Sequence, residues 1–141
     1  MTDWAVPAVN GVSPDLKTFL ALDFGLKRTG LAVGNREMRS AQPQGSIHAE
    51  GDARFVKIAT LLAEWQPDAL VIGVPFHPDG AEHENTVRAR RFGRQLSGRF
   101  NFPVFEVDER YSTTEALSMG VKDADAGAAC IILEQFLRSL D

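Results

Sequence analysis

The chain has 141 residues, of which 44% are hydrophobic and 24% charged, and its net charge at pH 7 is −4. These values predict one soluble globular domain that buries roughly 70% of its unfolded surface. The longest apolar runs are far shorter than the about 20 residues that a bilayer-spanning segment needs, which excludes such a segment. A single cysteine, Cys130, excludes an internal disulfide, and the N-terminus has no signal-peptide pattern, so we expect a cytoplasmic protein.

The first elements along the chain are a tail and three strands. Residues 1–17 mix small, polar and proline residues without periodicity, and we predict a flexible N-terminal tail there. Phe19–Gly25 is a predicted strand by its aliphatic and aromatic content, and Gly30–Gly34 returns as its hairpin partner. A third, weaker strand is expected within Gln44–Ala49.

Helices and strands alternate in the rest of the chain. From Asp52 to Pro67 the apolar residues recur at helical spacing, and Ala69–Val74 is a continuous apolar run, typical of a strand covered on both faces. A helix over Glu82–Arg99 and a strand over Val104–Val107 follow.

Two more helices complete the prediction. Ser112–Glu115 fits a capping box that begins a short helix, and a final helix runs from near Asp125 to Leu140. We therefore predict that residues 18–141 form a single α/β domain, with a mixed five-stranded central sheet flanked by helices on both faces.

One residue breaks the apolar pattern of the first strand. Asp23 follows Phe19, Leu20, Ala21 and Leu22 in a segment that disfavours a charged side chain. An ionised carboxylate away from water is unfavourable unless a cation or hydrogen-bond donors compensate it. We therefore expect a partner for Asp23, and a metal ion held by further carboxylates is one strong candidate.

Two other acids are expected near Asp23. Glu109 follows the strand Val104–Val107, and the carboxyl ends of parallel strands are the usual ligand-binding edge. On the final helix, Asp125 shares a face with apolar residues that must pack on the sheet, whereas Asp123 lies on a less clearly buried face. Helical phase therefore selects Asp125 as the third acid.

Clustered carboxylates repel one another until a hard cation binds, and Mg²⁺ or Mn²⁺ prefers such oxygen ligands. Two such ions, about 3.5–4 Å apart, can activate water and stabilise the leaving oxygen in phosphodiester cleavage. Other interpretations stay open at this point. Asp123 and Asp125 could be helix N-terminal acids, Glu109 could pair with Arg110, and Asp23 could be hydrogen-bonded to the turn that follows it.

The chain also resembles a known family, the YqgF/RuvX family of pre-16S rRNA nucleases, also described as Holliday-junction-resolvase-like. The matching segments run collinearly from about Leu20 to Leu137. They are the hairpin Leu22–Val33, the loop Ile72–Pro75 followed by Asp79-Gly80, the arginine-bearing helix at Arg88–Phe92, the stretch Val107–Ala116, and the helix motif Asp125–Ala129.

The resemblance implies an RNase H-like fold in which Asp23, Glu109 and Asp125 hold Mg²⁺ or Mn²⁺ and catalyse hydrolysis. It further implies maturation of the 5′ end of pre-16S rRNA in the cytoplasm. The chain departs from the family at Leu26, where a small hydroxyl residue is usual, and in a shorter, lysine-poor segment between Glu115 and Asp125.

Basic residues supply the candidate contacts to nucleic acid. The net charge argues mildly against such a partner, but five arginines and no acid lie between Arg88 and Arg99. The residues that we expect to contact substrate phosphates are Lys27, Arg28, Arg88, Arg91 and Arg110. We expect a monomer or weak homodimer that does not bind membranes.

Two other function classes stay open beside the pre-16S rRNA nuclease. The first is a Holliday junction resolvase-like DNA endonuclease, and the second is a non-catalytic RNA-binding module for ribosome assembly on the same fold. A nucleotide-binding domain ranks last. Actin-like ATPases use a similar hairpin against phosphates, but they need a second, related domain to close over the nucleotide.

Overall fold

The computed structural model describes residues 6–7, 12–77, 79–82, 84–109 and 124–140. The elements in chain order are β1 (Val6–Pro7), β2 (Thr18–Phe24), β3 (Thr29–Asn35), β4 (Ser40–Ile47), α1 (Gly51–Trp65), β5 (Ala69–Pro75), α2 (Glu84–Phe100), β6 (Val104–Glu109) and α3 (Ala124–Ser139). None of these helices has the length and apolarity that crossing a membrane requires.

The strands form one mixed sheet in the order β1-β6-β5-β2-β3-β4. Strands β1, β6, β5 and β2 run parallel, while β2, β3 and β4 pair antiparallel through the hairpin and its continuation. The central strand β5 is buried along almost its whole length, as its continuous apolar sequence predicts. The predicted mixed sheet of five main strands is confirmed.

Two cores cover the two faces of this sheet. On one face α3 packs through Ala129, Ile132 and Phe136, each fully buried. On the other face α1 and α2 pack through Ile58, Leu96 and their neighbours. The alternation of side chains along β2 assigns Phe19 and Ala21 to the α3 face and Leu20 and Leu22 to the opposite one.

Two sequence predictions need correction. Val6 and Pro7, predicted as part of a tail without regular structure, pair with Phe105 and Glu106 and add a short edge strand. Proline is tolerated there because an edge strand leaves one row of N–H groups unused. The third strand begins at Ser40, whereas the sequence predicted Gln44. Pro43 can lie within β4 because β4 is also an edge strand of the sheet.

Candidate active site

Asp23 lies near the carboxyl end of β2, on the face covered by α3. Its side chain follows the alternation of Phe19 and Ala21, which belong to the α3 core. On β3 the residue paired with Asp23 is Gly30. On β5 the last paired residue is Ile72, opposite Leu22, so Gly73 comes next at the level of Asp23. The carboxylate therefore lies between two positions without side chains.

Both glycines leave space that other groups fill. A Cβ at Gly30 would clash with the backbone carbonyl oxygen of Asp125, so the first turn of α3 rests directly on β3. A Cβ at Gly73 would lie 2.7 Å from Oε2 of Glu109 and would also meet the side chain of Ile132. The two glycines thus allow Asp125 and Glu109 to approach Asp23 from its two sides.

Asp23 and Glu109 are hydrogen-bonded to each other, and they share a proton. Burial, then the charge and the hydrogen bond of Glu109, and then the charge of Asp125 raise the pKa of Asp23 to about 9 from its ordinary 3.8. At neutral pH the pair keeps one proton, because two bare carboxylates in hydrogen-bond contact repel each other. A divalent cation relieves the same repulsion in place of the proton.

Asp125 is bound by an arginine of the β2–β3 turn. Nε of Arg28 lies 3.1 Å from Oδ2 of Asp125, and 30% of the Asp125 side chain is exposed. In this arrangement no three His, Cys, Asp or Glu side chains among the described residues form a closed group of metal ligands. The guanidinium supplies positive charge to Asp125, while Asp23 and Glu109 compensate each other through their proton.

The donor set nevertheless fits a hard divalent cation. All three side chains end in carboxylate oxygens, which Mg²⁺ and Mn²⁺ prefer. Asp23 and Glu109 are in contact, and Asp125 lies near enough for its charge to affect Asp23. Loss of the shared proton and of the Arg28 contact would leave these oxygens free to bind one or two ions.

The basic residues predicted to contact substrate occupy two recesses. Lys27 and Arg28 line a recess of about 530 Å³ together with His48 and Asp125. Arg88 and Arg91 belong to α2 and line a second recess on the other face of the sheet. Arg110 lies outside the described residues, as do Asp123, the Ser112–Glu115 capping box and the shortened segment before Asp125.

The sequence interpretation missed three residues that shape these sites. Gly30 and Gly73 interrupt strand-like runs. Because an isolated glycine in a strand often marks a close approach of other groups, the sequence pattern could have pointed to both residues. Arg54 is 3% exposed, yet its place in the first half of α1 looks like that of any surface arginine. No pattern in the sequence distinguishes it.

Sequence comparisons place the chain among known proteins. The model of the family described as "RuvX: Holliday junction resolvase" matches residues 17–139. Three curated relatives carry the name "Putative pre-16S rRNA nuclease". They come from Albidiferax ferrireducens (76% identical, over 96% of this chain and 88% of the relative), Polaromonas sp. (64%, over 96% and 99%) and Paraburkholderia phymatum (50%, over 94% and 92%).

Solved structures show the same fold at low sequence identity. Thermus thermophilus RuvC in complex with a Holliday junction substrate superposes with a TM-score of 0.55 at 15% identity, over 87% of this chain and 94% of RuvC. A structure of RuvC from the same organism gives a TM-score of 0.51 over 86% and 95%. The fold is therefore RNase H-like.

Proposed function

The chain belongs to the RuvX family, and we propose that it is a metal-dependent nuclease that hydrolyses phosphodiester bonds of pre-16S rRNA during maturation of the 16S 5′ end. The relatives named as pre-16S rRNA nucleases support this substrate, because they match nearly the whole chain at 50–76% identity. We further propose that it acts in the cytoplasm, as a monomer or weak homodimer.

The observation that carries the proposal is the convergence of three carboxylates at one edge of the sheet. Asp23, Glu109 and Asp125 arrive from two parallel strands and one helix, and Glu109 and Asp125 both influence the protonation of Asp23. Like charges close together in a partly buried site are unfavourable for folding, so the proximity of the three carboxylates supports a cationic ligand. We propose that these three residues hold Mg²⁺ or Mn²⁺.

When bound, the metal would supply a water of lowered pKa and stabilise the negative charge on the leaving oxygen. The chain's own residues have separate tasks. Asp23 and Glu109 release their shared proton and offer oxygens, while the two flanking glycines fix their spacing. Arg28 and Lys27 line the adjacent recess, where they can bind the phosphates of the substrate strand.

The test is cleavage of a pre-16S rRNA fragment that carries the unprocessed 5′ end. Wild-type protein should cleave it in Mg²⁺ or Mn²⁺ and not in EDTA. Asp23→Asn, Glu109→Gln and Asp125→Asn should each reduce the rate by at least about 100-fold, since each removes a charge that the metal needs. Circular dichroism and thermal unfolding would show that each variant still folds.

Asp15→Asn is the matched control, because Asp15 is exposed in the segment before β2, at the opposite end of that strand from Asp23. It should cleave like wild type.

A four-way DNA junction belongs in the same assay because of the family's description as a Holliday junction resolvase. Faster cleavage of the junction than of the RNA would reassign the substrate. Metal-dependent cleavage retained by Asp23→Asn would refute the site, and RNA binding without any turnover would indicate the non-catalytic module.

A further inference from the structure

A second recess lies on the opposite face of the sheet from the carboxylates. It has a volume of about 340 Å³ and opens between the end of β2, the beginning of α1 and one side of α2. Four arginines line it, Arg54, Arg88, Arg91 and Arg99, against only two acids, Glu50 and Asp52. The recess is therefore net positive in a chain whose overall charge is −4.

Arg54 forms the inner wall of this recess. Its guanidinium donates to the backbone carbonyl oxygens of Ala49, at 3.0 Å, and Leu26, at 2.6 Å, and stacks 4.5 Å from the ring centroid of Phe24. No carboxylate of the described residues forms a salt bridge with it. The carboxylate of Glu50 acts on Arg54 through its charge, and the ring of Phe92 lies 5.9 Å from the guanidinium. A buried guanidinium that is held by carbonyls and rings and has no ion pair favours a further anion nearby.

The other arginines differ in how far their charge is already compensated. Arg99 is 3.2 Å from Asp52 and lies over the ring of Phe55, and Arg88 is 3.6 Å from Glu84. Arg91 is exposed and makes no ion pair within the described part of the chain. Arg91 is therefore the residue with most positive charge to offer a ligand.

A ridge formed by Leu26 separates this recess from the one beside Asp125. Both recesses are lined by Leu26 and Glu50, and 57% of Leu26 is exposed at the boundary. Two hydrogen bonds fix the backbone here: Arg54 holds the carbonyl of Leu26, and the N–H of Gly25 donates to the carbonyl of Arg28 at 2.8 Å. A ligand reaching both recesses must bend across the apolar side chain of Leu26.

We propose that the recess of Arg54, Arg88, Arg91 and Arg99 is a second phosphate-binding subsite, which takes a phosphate of a single-stranded substrate that crosses the Leu26 ridge from the carboxylates. The inference rests on the proposed nuclease function. Duplexes resist sharp bending, with a persistence length of about 50 nm for DNA, whereas a single strand turns within a few nucleotides. The geometry thus selects unpaired nucleic acid.

The experiment measures binding without catalysis. A fluorescent single-stranded RNA of about a dozen nucleotides, without and with a 5′-phosphate, and a perfect duplex of the same sequence are each titrated with protein in EDTA at several salt concentrations. Arg91→Ala should raise Kd about 10-fold and lower the slope of log Kd against log salt concentration by about 1, as expected for one lost phosphate contact. Arg91→Lys keeps the positive charge and should restore most of that slope. Arg138→Ala is the control, since Arg138 is exposed about 20 Å along α3 from Asp125.

Three outcomes would overturn the subsite. In the first, Arg91→Ala binds the RNA as tightly as Arg138→Ala does. In the second, Arg91→Ala weakens binding of a perfect duplex as much as binding of the single strand. In the third, Arg91→Ala weakens binding only of RNA with a 5′-phosphate, which would indicate a terminal-phosphate pocket. In protein that carries Asp23→Asn, Arg91→Ala should weaken RNA binding by the same factor as in wild type. A protein that never cleaves RNA can therefore still show the subsite, so failure of the nuclease proposal and failure of the subsite are distinguishable.

Discussion

At the scale of single residues, the protonation of Asp23 couples the candidate site to folding. Its carboxyl group is held near Glu109 and Asp125, and its pKa is raised to about 9. In the unfolded chain the same group has a pKa near 3.8. Over the pH range between these two values the folded protein binds a proton that the unfolded chain releases.

This difference predicts a pH dependence of stability. Because the folded state binds more protons, the free energy of unfolding of the metal-free protein should decrease as pH rises from about 4 to about 9, by at most about 1.4 kcal/mol per pH unit. Asp23→Asn should flatten this dependence and be more stable than wild type at neutral pH. Urea unfolding at a series of pH values measures both effects.

Asp15→Asn again serves as the control, and its pH dependence should match that of wild type. Equal slopes for wild type and Asp23→Asn would show that Asp23 does not carry the extra proton in the folded protein.

At the scale of elements, the site depends on how closely α3 packs on the sheet. The carbonyl of Asp125 occupies the place where a side chain at position 30 would begin, and Ile132 and Glu109 occupy the corresponding place at position 73. On the other side of β5, the buried hydroxyl of Thr86 donates to the carbonyl of Pro75 and ties the beginning of α2 to the end of that strand. The strand ends are thus fixed from both faces.

The packing of α3 predicts the effect of one added methyl group. Gly30→Ala should destabilise the protein by about 2–3 kcal/mol, because the new Cβ meets backbone that cannot rotate away. Gly98→Ala is the matched control: nothing lies within 4 Å of its Cβ, and α2 gains a better helix former, so stability should rise by about 0.5–1 kcal/mol.

Chemical denaturation of the two variants measures both changes. A Gly30→Ala protein as stable as wild type would mean that α3 does not rest on β3 at Asp125.

At the scale of the whole molecule, the two faces of one sheet carry different charged groups. The α3 face carries the carboxylates, and the α1/α2 face carries the arginine recess. Metal binding on the first face should stabilise the entire domain, because the unfolded chain has no such cluster. Arg28 opposes that binding as long as it pairs with Asp125.

Added Mn²⁺ should therefore raise Tm by roughly 5–10 °C when its concentration is about 100 times Kd. The increase should vanish in Asp23→Asn and persist in Asp15→Asn. Arg28→Ala should reach the same increase at lower Mn²⁺, since it removes the competing cation. Thermal unfolding monitored by circular dichroism measures these shifts, and an equal Tm increase in Asp23→Asn would place the bound metal elsewhere.

The sequence by itself predicted β2, β3, α1, β5, α2, β6 and α3 in their order, because period-two and helical patterns report burial locally, but it did not predict the edge strand β1 or the beginning of β4. It also selected Asp23 as an unusual charge and Asp125 over Asp123 by helical phase. Only the tertiary structure decided what surrounds these residues. The packing of Asp125 on Gly30, the Arg28–Asp125 contact and the hydrogen bond from Arg54 to Leu26 join positions far apart in the chain, and such contacts depend on packing that no local pattern encodes.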